Sequence, residues 1–175
     1  ETSYGIGCDA RNKKAVQLVH KIKKEPKTKP LIILVPDLLL AKKIAELSNA
    51  DEALVKKFMP GPLTLVVQKK KGKLKGIFGC TVAFRISSNR FAFSLSKKFG
   101  GAITSTSANL HGKKPIFDAK KIIEAFEGKV DLIIDAGALP KHKPSTIYDS
   151  KNKKILRKGK ILLAGIKKAE KAVKK

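Results

Sequence analysis

Apolar residues fall along this chain in two periods. Between Asn12 and Lys24, the positions Ala15, Val16, Leu18, Val19 and Ile22 recur at the spacing of one helical face with lysines between them, which predicts an amphipathic helix. Pro26 and Pro30 end it, and LIILV at 31–35, bounded by prolines, reads as a buried strand. Asp37 suits the N-cap of a helix running to about Leu47, and Asp51 to Phe58 a short helix closed by Pro60-Gly61-Pro62. Strands at Leu63 to Gln68 and around Thr81 to Ile86 flank the basic turn KKKGKLKG. Phe91 to Phe99 predicts a helix and Ala102 to Thr106 a strand; Asp118 begins a helix to Phe126 that Gly128 stops, and VDLIID at 130–135 reads as a further buried strand. Ser145 to Tyr148 and Lys154 to Arg157 form a hairpin around Ser150 to Lys153, and Leu162 to Lys175 is a basic amphipathic helix or a frayed end.

Strands alternating with helices give an α/β (α+β) fold, and the hairpin with its short spacings adds antiparallel pairs. The expectation is a single domain built on a twisted mixed β-sheet flanked by helices. With 175 residues there is room for one well-packed core, at 1–161, and the basic segment 162–175 after it. The longest apolar runs are strand-sized, far from a membrane span. No charged start with an apolar run and a small-residue cleavage site points to export. Cys8 and Cys80 lie far apart in sequence without a CxxC or paired histidines, so neither a disulfide framework nor a zinc site is indicated. A cytoplasmic protein is the default reading.

Charge changes the picture most. The net charge is +25, and such a surface draws polyanions by counterion release. Yet only four of the 39 basic residues are arginine, Trp is absent and aromatics are sparse, whereas specific nucleic-acid readers favour the arginine fork and stacking rings. The surface is therefore either a solvated lysine coat or an RNA-binding face. Against that background Arg85, closing TVAFR, and Arg157, closing ILR, stand out, because an arginine at a strand end can offer its fork to a carboxylate or phosphate.

The stretch TSTSANLHGKKP, Thr104 to Pro115, carries the other concentration of chemistry. There is no GxSxG elbow, and the three histidines, His20, His111 and His142, have no fixed relation to its serines. No metal-ligand spacing occurs. Two readings remain: a polar strand end with caps, and a wall of hydroxyl and backbone donors for an anion, in which no Walker A loop takes part.

The blocks also occur in a recognisable order. ETSYGIGCDA, KKEPKTKPLIILV, FMPGPLTLVV, TVAFRISS, TSTSANLHGKKP, PSTIYD and ILRKG resemble, in sequence, the segments of the threonylcarbamoyl-AMP synthases, the YrdC-like domain. The resemblance runs from Glu1 to about Ile161, and its Pro-Gly-Pro-Leu-Thr and Ser-Ala-Asn blocks are the most specific. It implies a single-domain L-threonylcarbamoyladenylate synthase, a nucleotidyltransferase that makes threonylcarbamoyl-AMP and pyrophosphate from L-threonine, bicarbonate and ATP with Mg²⁺. A partner transferase would then place the threonylcarbamoyl group on tRNA. No protein nucleophile is needed, so the resemblance implies binding residues only. Arg85, Ser107 and Ser145 fall on the threonine side, with Arg85 on the carboxylate. Lys23, Lys29, Thr81, Asn109 and Arg157 fall on the ATP side, and Tyr4 near the pocket mouth.

Three departures accompany it. The family's Pro-Thr pair and the strand before it are missing ahead of Glu1, Glu25 stands where the family carries a phosphate-facing arginine, and no further domain follows Gly159. The first two weigh against strong turnover. A non-catalytic RNA-binding module of the same fold, holding tRNA or ribosomal RNA on its lysines, is the competing expectation. A carbamoyl-adenylate enzyme of hydrogenase maturation, which would need additional parts, is a third.

Overall fold

The computed structural model describes residues 2–173. Helix α1, Lys13–Lys23, starts where Asn12 accepts the amide of Ala15 and ends at Lys24 in the left-handed region. Its apolar stripe buries Val16 and Val19. Asp37 caps α2, Leu38–Ile44, and Ser48 opens α3, Asn49–Phe58, with a reciprocal capping box to Asp51. Asn89 caps α4, Arg90–Phe99, which Gly100 closes in the left-handed region; Asp118 caps α5, Ala119–Phe126.

Six strands form one mixed sheet in the order β5 (Ile103–Thr104), β2 (Ile32–Leu34), β4 (Thr81–Arg85), β3 (Leu63–Gln68), β7 (Thr146–Asp149), β8 (Lys154–Arg157). β2 runs parallel to β4 and β3 parallel to β7, and the other three contacts are antiparallel. A second, two-stranded sheet pairs β1 (Gly5–Ile6) with β6 (Thr106–Ser107). The hydroxyl run thus crosses from one sheet to the other at Ser105, whose amide donates to Ile32 O.

Alternation divides the large sheet into two unlike faces. Ile33, Val82, Phe84, Leu63, Leu65, Thr146 and Tyr148 point to one side and are almost wholly buried. Each large side chain there contributes roughly 1.5–3 kcal/mol of burial. α6 (Leu163–Lys171) belongs to this side: Ile166 is fully buried, and Tyr148 Oη donates to Glu170 at 3.1 Å. α6 packs on α3, whose Asp51 accepts the hydroxyl of Ser150. The other face carries Thr81, Ala83 and Arg85 from β4, Thr64 from β3 and Arg157 from β8.

One expected element is absent. The segment 130–135 forms no strand; it is irregular, with Leu132 and Ile134 exposed. Its composition favours a strand, but a strand needs a neighbour's backbone, and all five pairings of the large sheet are made by other segments. Tyr4 holds the end of this stretch, donating to Gly137 O at 2.8 Å and accepting from Ala136 N at 2.9 Å. The expected strand 102–106 is likewise two short ones, because β5 and β6 belong to different sheets.

Candidate active site

The register of the sheet lines up one row of polar residues across its end. Leu34 pairs with Arg85 across β2 and β4, and antiparallel pairing of β3 with β4 sets Thr64 beside Arg85. Thr64 pairs with Ile147, and Ile147 with Arg157. Short chemistry joins this row. Thr64 Oγ1 and Ser145 Oγ lie 2.9 Å apart, both buried, while Arg157 donates through Nε to Ser145 O at 3.0 Å and through Nη2 to Ser145 Oγ at 2.8 Å. Burial, and after it the charge of Arg85, pulls the Arg157 guanidinium below its ordinary value, though it remains a cation at working pH. Two guanidiniums on one face of the sheet, with a pair of hydroxyls beside Arg157, suit an anion.

Gly159 explains part of this geometry. A Cβ there would lie 2.3 Å from Pro144 O and 2.4 Å from Thr146 N, so only glycine lets the chain after β8 lie flat against Ser145. Gly7 plays the same part at the other sheet, where a Cβ would meet Thr104 O at 2.1 Å. The buried Thr104 Oγ1 in turn accepts the amide of Cys8 at 2.9 Å.

The second group of residues lies where the end of α1 meets the loop after β6. Lys23 is buried, and its Nζ donates to Ser107 O and to Asn109 O, the latter at 2.9 Å. Desolvation lowers its pKa, opposed by the charge of Glu25. Asn109 Nδ2 donates to Leu110 O at 3.0 Å and Lys113 O at 2.7 Å, closing the loop on itself. His111 N donates to Lys23 O at 2.8 Å.

Measured against the sequence, Arg85, Ser145 and Arg157 come together at the sheet end. Ser107, Asn109, Lys23 and Lys29 come together around the loop. Thr81 shares the face of Arg85 but stands four residues up β4, roughly 13 Å away at about 3.3 Å per residue. Tyr4 is 9% exposed, its hydroxyl engaged with the 136–137 backbone. The expectation that Glu25 turns an anion toward the phosphates is corrected. Its side chain is fully buried and turned inward, with Oε2 2.8 Å from Lys29 Nζ and Oε1 3.3 Å from His20 Nδ1. Sequence reasoning missed Thr64, although its place in PGPLT was a signal, and His20, whose partner five positions on no helical spacing reveals. A cavity of about 820 Å³ lies between α1, the 109–116 loop and α5 and meets these residues only at Asn109.

Residues 1–159 match the model of the Sua5/YciO/YrdC family, which bears the description telomere recombination. A threonylcarbamoyl-AMP synthase of Idiomarina loihiensis is 32% identical over 162 residues, 90% of this chain and 87% of that one. A Methanocaldococcus jannaschii protein provisionally named for the same activity is 36% identical over 156 residues, 89% of this chain and 74% of its own length. The crystal structure of Pyrococcus abyssi Sua5 complexed with L-threonine superposes with a TM-score of 0.85 at 33% identity, covering 97% of this chain and 51% of that one. The chain therefore spans about half the length of that solved relative. An α/β fold with a six-stranded mixed sheet, and this match over most of the chain, place the protein in the Sua5/YciO/YrdC family.

Proposed function

We propose that this chain is an L-threonylcarbamoyladenylate synthase, a nucleotidyltransferase acting on L-threonine, bicarbonate and ATP. The observation that carries the reading is the row of Arg85, Thr64, Ser145 and Arg157 across one sheet end, in a chain related to proteins named for this activity. Arg85 would pair the threonine carboxylate, with Ser145 and Ser107 beside the amino acid. Lys23, Lys29, Thr81, Asn109 and Arg157 would line the nucleotide side.

In the reaction, threonine's amine and bicarbonate give N-carboxythreonine and water. An oxygen of the new carboxylate attacks the α-phosphorus of ATP, and the bond to the bridging oxygen breaks to release pyrophosphate. Both reactants are anions, so the protein's work is to hold them in line and offset their repulsion with fixed cations. Mg²⁺ would enter with the ATP phosphates. Among the described residues no group of three or more His, Cys, Asp or Glu side chains is placed to hold a metal.

The labile product calls for an acceptor, and we assign that part to a tRNA-modifying threonylcarbamoyl transferase. The lysine coat favours tRNA or another RNA as a neighbour. No described helix is long and apolar enough to cross a membrane. The test is pyrophosphate release from ATP with and without L-threonine and bicarbonate. Release that needs both co-substrates is expected. ATP-independent RNA binding with no such release would favour the RNA-binding reading instead.

A further inference from the structure

Glu25 departs from the expected pattern and lies buried beside the site. Its side chain is 0% exposed, that of His20 is 4%, and that of Lys29 is 42%. A buried carboxylate needs a cation, and Lys29 Nζ at 2.8 Å supplies it. His20 packs at 3.3 Å but out of line for a hydrogen bond. From Glu25 the chain of contacts runs outward. Lys29 Nζ stands 3.3 Å from His111 Nδ1, and the amide of His111 donates to Lys23 O. Lys23 Nζ in turn holds the carbonyls of Ser107 and Asn109.

We propose that Glu25 is a positioning residue. By fixing Lys29 against His111 it clamps the 107–113 loop onto the end of α1, and so sets the nucleotide side of the site that the synthase reading assigns. The inference rests on that reading for its ligand, but the clamp itself does not.

Two physical effects of removing the carboxylate have opposite signs, which makes the proposal testable. Simple electrostatics says that Glu25→Gln unmasks Lys29 and tightens ATP binding. A clamp says that Lys29 loses its anchor, the loop loosens and ATP binds more weakly. The experiment measures ATP affinity by titration, and amide hydrogen exchange at His111 and in β3 and β4, in the full chain and in Glu25→Gln, Lys29→Ala, Lys29→Arg and the Glu25→Gln/Lys29→Ala pair. Expected are about tenfold weaker ATP binding and about tenfold faster His111 exchange in Glu25→Gln and in Lys29→Ala. β3 and β4 should keep their protection, the pair should be no worse than either single change, and Lys29→Arg, which keeps a cation beside Glu25, should keep His111 exchange slow. Tighter ATP binding in Glu25→Gln, or unchanged His111 exchange in both single variants, overturns the proposal. Should the unaltered chain bind no ATP, the nucleotide reading falls, and the His111 exchange alone decides for or against the clamp.

Discussion

Arg157 grips Ser145 at two points, its Nε on the carbonyl and its Nη2 on the hydroxyl, at 3.0 and 2.8 Å. That hydroxyl also meets Thr64 Oγ1, which is fully buried. Ser145→Ala removes both partners at once and strands the threonine hydroxyl. The expected cost is about 1–3 kcal/mol of stability, read by urea unfolding, together with at least a tenfold loss in threonine affinity. Unchanged threonine binding in a folded Ser145→Ala variant would place the amino acid elsewhere.

Arg85 lies on the face of β4 opposite Phe84, so Arg85→Ala leaves the packing around Phe84 in place. Loss of a charge-assisted fork to a carboxylate predicts threonine binding weaker by about 10- to 100-fold, with ATP binding alone less affected. Calorimetric titration with each ligand separately checks the split.

The first side-chain carbon added at Gly159 collides with backbone rather than with a movable side chain. Gly159→Ala should therefore destabilise the protein by about 1–3 kcal/mol, a fall of roughly 3–10 °C in Tm for a chain of this size. It should also weaken threonine binding by displacing Ser145. Alanine at Gly72, where nothing lies within 4 Å, provides the contrast of backbone strain without collision.

Tyr148 supplies a pH test. Burial, and then the nearby Glu170 charge, raises its pKa well above the ordinary 10.0. The folded state thus holds this proton where the unfolded chain gives it up. The sign follows: the contribution is complete below about pH 10 and is lost as pH climbs above it. Denaturant unfolding between pH 8 and 11 should show stability falling more steeply in the parent than in Tyr148→Phe. Parallel curves would mean that the hydroxyl ionises freely in the folded protein.

Much of the architecture could be read from periodicity and caps. Asn12, Asp37 and Asp118 each start the helix expected of them, and the apolar alternation of β3 and β4 marks the pair at the centre of the sheet. Strand character at 130–135 misled, because propensity describes a residue and a strand is a relation between two chain segments. The site was legible as motifs but not as geometry. Arg85 and Arg157 stood out through their rarity, whereas the meeting of Thr64 with Ser145 depends on the register of β3 with β7. Glu25 read as an anion facing phosphate, since sequence carries no sign of which way a side chain turns when His20 and Lys29 offer it company inside.

The alternation of β4 has a consequence for how this protein can change. Phe84 and Arg85 are neighbours in the chain, yet one is sealed in the interior and the other stands at the proposed site. Losing a single residue from this strand would exchange their places along its remaining length, turning an arginine into the apolar interior and a phenylalanine toward the ligands. Point substitutions can tune the open side of the sheet one position at a time, while insertions and deletions are confined to segments such as 129–144, where no pleat keeps count.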